Sequence, residues 1–367
     1  MKQILCLSHL PWQARPNRTQ QLLTRLSGVQ ILFFEPAPEK GAPPLEQGRR
    51  MRANITVYTL PNPLPDPRDR PLLRRHRLDR TANFIQQIMD RRRFREPVLW
   101  CTAPAHAAFL DRLAYRGLIY DCHRVWDERF LEDESDLTRH AEVVFAASPG
   151  LAARLSPCSD NIALLPNGVN PLLFTRDDPA CPAELARLPG KKLLGRVGDL
   201  DSQVDLEPLL HAAQRRPEWT FVLIGRYTQQ AARQVAGLDN IHLTGPVNAL
   251  DVPDYLTACD LLFDLLRRDM DGSDVVPARI YEYLASGKPT VLIAEPDLPE
   301  PFPELAYTAY DGPGFLRRCK AALEEDPALS LRRREYAQRC SWANRAAQVS
   351  TILEDTGLFE NRRQTQI

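Results

Sequence analysis

Asp274 and Glu282, with seven residues between them, are the pair whose types and spacing in this chain suggest chemistry. They lie in DVVPARIYEYLASGKP, where Ala278, Ile280, Tyr281, Leu284 and Ala285 supply apolar positions at helical spacing. The Tyr-Glu-Tyr-Leu turn is expected to open a short helix, which Gly287 and Pro289 then stop. The run TVLIAEPDLPE that follows is apolar and β-branched, and reads as a buried strand ending in a proline-rich loop. Carboxylates on a helix and on the loop before it, next to a parallel strand, stand where α/β proteins place ligand sites. A carboxylate accepts two hydroxyl donors at once, so a bound diol is a natural partner. The plainer alternative is that Glu282 is an acid favouring the helix dipole.

Other residues could join such a site. Arg196 follows a glycine in GRVGDL at the end of a strand and is also readable as a plain surface charge; Arg226 follows LIG, and Lys288 follows Gly287. His123 comes just after the strand LIYDC, as a site residue or a solvated loop histidine. His9 follows the first strand and precedes Pro11, Trp12, Arg15, Pro16 and Arg18. That loop is stiff, and the Trp12 indole could stack on a sugar or a prenyl phosphate, or simply pack in the core. Asp269-Met270-Asp271 is a D-x-D, a pattern able to hold a divalent ion but common by chance. Ser148 in AASPG lacks the glycines of a nucleophile elbow, which argues against a hydrolase.

The elements that must position these residues repeat one plan twice. In the first half QILCLSHL, VQILFFEP, ITVYTLP, PVLWC, LIYDC, VVFAASP and IALLPNGV read as strands, with amphipathic stretches such as Gln20 to Leu26 and Thr81 to Met89 between them. In the second half KLLGRVGDL, TFVLIGRY, NIHLTGP, LLFDLL and PTVLIAE are strands, with helices expected around Leu206 to Arg215, Gln229 to Ala236 and Val252 to Cys259. Between Val169 and Lys191 the chain is polar and proline-rich, as a linker is. Leu60 to Pro71 reads as a long loop inside the first domain. The expected division is therefore 1–175, 176–340 and a C-terminal helix with its tail, 341–367, free to pack back on the first domain.

At 367 residues, two domains are the default, and 44% apolar with 26% charged residues is ordinary for a globular protein. Equal counts of 47 basic and 47 acidic residues argue against a nucleic-acid partner. Eight scattered cysteines without a CxxC pair signal neither a zinc site nor a disulfide framework, and fit a reducing cytoplasm. Between Arg68 and Arg95 the arginines cluster, either as a solvated helix face or as a patch for peripheral contact with an anionic membrane. No run reaches the ~20 apolar residues of a membrane span, and none reads as a signal peptide.

YEYLASGKPTVL resembles the sugar-nucleotide signature of the group-one retaining glycosyltransferases, and LLPNGVNPLLF resembles that family's segment before its second domain. PEWTFVLIG, NIHLTGPV and DYLTACDLLF resemble its following strands in order. SHLPWQARPNRTQQLL and LIYDC are similar to the teichuronic-acid and other cell-surface polysaccharide types. The resemblance implies the α/β GT-B fold, two Rossmann-like domains facing across a cleft. It implies transfer of a sugar from a nucleoside-diphosphate sugar to a glycan or lipid-linked acceptor, with retention, and no further cofactor or metal, so that Asp269 and Asp271 become a polar loop. Glu282 would bind the ribose, with Arg196, Arg226 and Lys288 beside it on the donor. Asp274 and His123 would face the transferred sugar, and His9, Trp12 and Arg15 the acceptor. The family's usual first glutamate is here Asp274, its lysine five residues after Arg196 is Asp201, and its N-terminal glycine pair is Leu10-Pro11-Trp12. Those departures leave two rivals, a silent subunit of the same fold that binds a partner enzyme and a sugar-nucleotide epimerase.

Overall fold

The computed structural model describes residues 2–13, 16–37, 47–175, 180–201, 204–265, 274–294 and 301–360. They form two compact units, one of residues 1–166 with 343–367 and one of residues 167–342.

The first unit is built on eight strands: β1 (Lys2–Leu7), β2 (Val29–Glu35), β3 (Arg49–Arg52), β4 (Ile55–Thr59), β5 (Val98–Cys101), β6 (Gly117–Cys122), β7 (Val143–Ala146) and β8 (Ile162–Leu164). Their order in the sheet is β3-β4-β2-β1-β5-β6-β7-β8, and every pairing is parallel except that of β3 with β4. Continuous apolar runs such as VLWC of β5 are buried throughout, as strands covered by helices on both faces must be. β3, the antiparallel edge, is RRMR and wholly exposed; charge on an edge strand discourages further pairing.

The second unit carries β9 (Lys192–Val197), β10 (Trp219–Ile224), β11 (Ile241–Gly245), β12 (Leu261–Leu265), β13 (Thr290–Ile293) and β14 (Tyr307–Ala309), all parallel in the order β11-β10-β9-β12-β13-β14. One core fills the face with Val197, Leu262, Ile280, Tyr283 and Leu284; the other holds Leu194, Phe221, Phe263 and Phe315. Both sheets reverse their winding once, between β1 and β5 and between β9 and β12. Outside the carboxyl ends of those strands a crevice opens by topology.

The first unit stops at Pro166 instead of running to 175, because residues just beyond it are tied into the second. Asn167 donates its Nδ2 hydrogen to the Val276 carbonyl at 3.0 Å, and the Val169 N–H reaches the Cys340 carbonyl at 3.1 Å. The last helix, Trp342–Asp355, belongs almost entirely to the first unit, burying Val349 and Leu353 and reaching the Leu164 carbonyl with Gln348 Nε2 at 2.9 Å. The cysteines described are all free, and among the described residues no helix is long and apolar enough to cross a membrane.

Candidate functional site

In the second unit the geometry centres on a carboxylate that the sequence reading passed over. Asp264 lies near the carboxyl end of β12, within LLFDL, and is fully buried. Arg196, near the carboxyl end of the adjoining β9, is 1% exposed, and its Nε stands 3.9 Å from Asp264 Oδ1. Arg279 comes from the first turn of the Ala278–Ser286 helix and clasps Asp264 with both Nε and Nη2, the second at 3.0 Å. Burial alone would raise the Asp264 carboxyl, but Arg279 and Arg196 together hold it below its ordinary value. Burial likewise works against the Arg279 charge and is outweighed by Asp264, so its pKa is raised. Two guanidinium groups thus share one buried carboxylate at the switch point between β9 and β12.

The surrounding backbone is shaped for close approach. Arg196 donates from Nη1 to the Gly198 carbonyl at 3.0 Å, which folds the loop after β9 over its own guanidinium. Gly225, after β10, has φ +147, and a Cβ there would come within 2.6 Å of the Gly198 carbonyl oxygen, so the two loops touch only because position 225 is glycine. Tyr283 of the Ala278–Ser286 helix accepts the Val197 N–H on its hydroxyl at 2.8 Å and pins that helix to the end of β9.

Glu282 projects from the same helix one turn after Arg279 and is half-buried. It is not in the first turn, which begins at Ala278 and contains no acid, so the expectation that Tyr-Glu-Tyr-Leu opens the helix fails and with it the dipole explanation of Glu282. The first turn instead carries Arg279, a cation at the end where the dipole disfavours it, compensated by Asp264. Gly287 closes the helix in the left-handed conformation at φ 76, as the Gly-Lys-Pro sequence implies. Asp274 lies four residues before that helix, half-buried, in the loop that Asn167 anchors through Val276.

Two donor-side candidates are placed otherwise. Arg226 stands at the carboxyl end of β10, but its side chain is 78% exposed and clamped on Asp199, with Nη2 to Oδ2 at 2.7 Å and Nε to Oδ2 at 3.0 Å. Lys288 precedes β13 and therefore lies at the amino-terminal edge of the sheet, opposite the crevice; a parallel strand separates it from the Asp264 cluster. Asp269 and Asp271 lie outside the described residues, and so does Arg15. Among the described residues no group of three or more potential metal ligands comes together.

The first unit carries its own cluster at the carboxyl ends of β1, β5 and β6. His9 donates its backbone N–H to Thr102 Oγ1 at 3.0 Å and has Nδ1 2.9 Å from the same oxygen. Its ring is 4.9 Å from that of His123 and 5.2 Å from that of Trp126, a residue that no motif singles out. His123 Nδ1 is 3.1 Å from the Asp121 carbonyl, which can only accept, so the proton is on Nδ1 and the neutral ring offers Nε2 as an acceptor. Burial pushes the pKa of both imidazoles down, and in His9 the neighbouring His123 adds to it. Beneath them Arg18 and Asp121 form a buried pair at 2.9 Å. Trp12 stands apart from this cluster: its ring meets Phe33 edge-on at 5.1 Å, and its backbone N–H donates to Glu35 Oε2 at 2.8 Å, so it is half-buried against β2.

The two units repeat one device, a fully buried aspartate at a strand's carboxyl end held by an arginine from the first turn of a helix: Asp121 with Arg18, and Asp264 with Arg279. The sequence signal for Asp264 and Arg279 was a charge inside an apolar strand and a cation in a first helical turn, each unfavourable alone.

The family described as Glycosyl transferases group 1 matches residues 191–312. TuaH of Bacillus subtilis (strain 168), a glycosyltransferase named for teichuronic acid biosynthesis, is 24% identical over 274 residues, covering 66% of this chain and 68% of its own. Among solved structures, sucrose-phosphate synthase from Thermosynechococcus elongatus superposes with a TM-score of 0.75 at 16% identity, covering 97% of this chain and 99% of that one. Anabaena HepE in complex with UDP-glucose gives a TM-score of 0.68 at 15% identity over 97% and 100% of the two chains.

Proposed function

We propose, for a chain that is a group-one glycosyltransferase of the GT-B fold, that the second unit binds the nucleoside-diphosphate part of a sugar nucleotide at the switch point between β9 and β12. The observation that carries this reading is the Arg196–Asp264–Arg279 cluster, with Glu282 one turn along the helix that supplies Arg279. Departing diphosphate needs fixed positive charge and backbone N–H donors. Arg279 takes the place of the absent lysine at position 201: one carboxylate neutralises only one of two guanidinium groups, and the Arg279 side chain keeps 24% of its surface exposed. Glu282 accepts the ribose hydroxyls, and Asp274 meets the sugar.

In the first unit His123, neutral and accepting at Nε2, is able to take a hydroxyl hydrogen of a bound sugar, with the His9 and Trp126 rings beside it. The leaving diphosphate oxygen serves as local base toward the incoming hydroxyl, so the new bond forms on the face the diphosphate leaves and the anomeric configuration is retained. TuaH's name and the UDP-glucose held by HepE support a uridine-diphosphate sugar as donor and a cell-surface polysaccharide or its lipid-linked precursor as acceptor. Calorimetry with UDP tests the donor site. Binding is expected to be unchanged by EDTA and lost in Arg279→Gln; binding that needs manganese would overturn a metal-independent reading.

Peripheral membrane contact is proposed for the start of the Pro71–Arg92 helix. There Leu72 is 85% and Leu73 44% exposed, with Arg68, Arg70 and Arg75 exposed around them. Apolar tips among cations favour an anionic surface, and the attraction fades as salt screens it. The protein should sediment with anionic vesicles at low ionic strength and lose that affinity in a Leu72→Asp, Leu73→Asp variant; equal sedimentation of both would end the proposal.

A further inference from the structure

The second unit has a cavity of about 220 Å³ at the amino-terminal edge of its sheet, the edge away from the β9–β12 crevice. Its walls include Phe174, Thr257, Lys288 and Arg334, with Asp254 contributing one carboxylate. Lys288 is half-buried, and its Nζ makes no hydrogen bond or ion pair with a described residue. Asp260, whose charge reaches Lys288, is already committed, taking Lys192 Nζ at 3.0 Å and the Leu193 N–H at 2.8 Å. The carboxyl end of the Ala278–Ser286 helix would welcome a cation, but Arg334 meets that need, donating to the Ser286 carbonyl at 3.1 Å and lying against Gly287, where a Cβ would come within 2.5 Å of its Nε. Lys288 is therefore a second cation beside Arg334, kept partly out of water without an ion pair to a described residue. Burial pushes its pKa down, Cys259 and Asp260 oppose that in part, and Arg334 and Lys192 add to it; the net cost is one that an anion in the cavity would offset.

We infer that this cavity is a binding site for a small phosphate monoester. The point charge of Lys288 and the planar guanidinium of Arg334 suit phosphate oxygens, while the Thr257 hydroxyl is spent on the Pro253 carbonyl at 2.8 Å. Room for roughly seven waters exceeds what a bare anion fills, and the Leu173 and Phe174 side gives an apolar wall for a compact body such as a phosphorylated sugar. The site is separate from the donor crevice and stands whether or not the donor reading does.

The test labels the site itself. Acetylation of the lysine amines by acetic anhydride is followed by peptide mass spectrometry, with Lys192 as internal reference, in chloride, in inorganic phosphate and in glucose 6-phosphate at matched ionic strength. The Lys288 rate is expected to fall at least fivefold in glucose 6-phosphate and less in inorganic phosphate, with Lys192 unchanged. Equal protection by the two would reduce the site to an inorganic anion site and overturn the monoester assignment; no protection by either would overturn the site. Calorimetry with glucose 6-phosphate on Lys288→Gln, whose side chain holds no structural bond, should show the heat of binding lost. Heat that survives there would place the ligand elsewhere and equally count against the proposal.

Discussion

Asp264→Ala is expected to lower the free energy of unfolding by about 3–5 kcal/mol, the usual cost of leaving a buried ion without its partner. The reason lies in how unequal the two arginines are. Arg279, with 24% of its side chain exposed, can turn toward water when the carboxylate goes. Arg196 cannot, since 2% of its side chain is exposed and its loop is folded over it through the Gly198 carbonyl. Urea denaturation read by tryptophan fluorescence measures the loss, and Trp219 on β10 reports from the same sheet. Because the penalty is an orphaned charge, Asp264→Ala with Arg196→Met should recover much of it, a non-additivity expected of residues in one network. A loss below about 1 kcal/mol in the single variant would mean that Asp264 is not the anchor of the cluster.

The parts of this fold that were legible are those where one physical signal dominates. Parallel strands covered on both faces are written as continuous apolar runs, and TFVLIGRY and LIYDC became β10 and β6 with little shift. Gly287 declared the end of its helix, since few other residues accept φ 76. The Pro71–Arg92 helix was read only from Thr81, because its first turns are arginine-rich and exposed, with no apolar stripe to betray a period. Proline at its first position was the available sign. β3 and β14 escaped for a related reason: a four-residue arginine strand at an edge and a three-residue strand at the other edge carry almost no pattern.

The site divides along similar lines. Arg196 and Glu282 stand at places a sequence marks, a strand end and a helix before a glycine stop. Lys288 is expected on the donor, yet it directly precedes β13 and so stands at the amino-terminal edge of the sheet, away from Arg196 at the carboxyl end of β9. Asp264 and Arg279 depend on a pairing between residues 15 apart in the chain, which only the packing of that helix against β12 creates.

Glu282→Gln should weaken the binding of UDP and of UMP by equal amounts, about 1.5–3 kcal/mol, the worth of hydrogen bonds to a charged group. Equality is the informative part. Glu282 lies close enough to Arg279 for its charge to raise that pKa, so removing it also makes the cluster more positive. If that effect ruled, UDP would bind better, and better than UMP, because its extra phosphate carries more charge. A ribose contact predicts the opposite sign and no dependence on phosphate number. Asp274→Asn separates the second role: it should leave both nucleotides nearly unaffected while lowering turnover and narrowing the preference between donor sugars, since a site built for a hydroxyl rejects analogues by leaving polar groups unpaired. Calorimetry with the two nucleotides and initial rates with two donor sugars decide it, and equal weakening of UDP by both substitutions would remove the distinction between a ribose acid and a sugar acid.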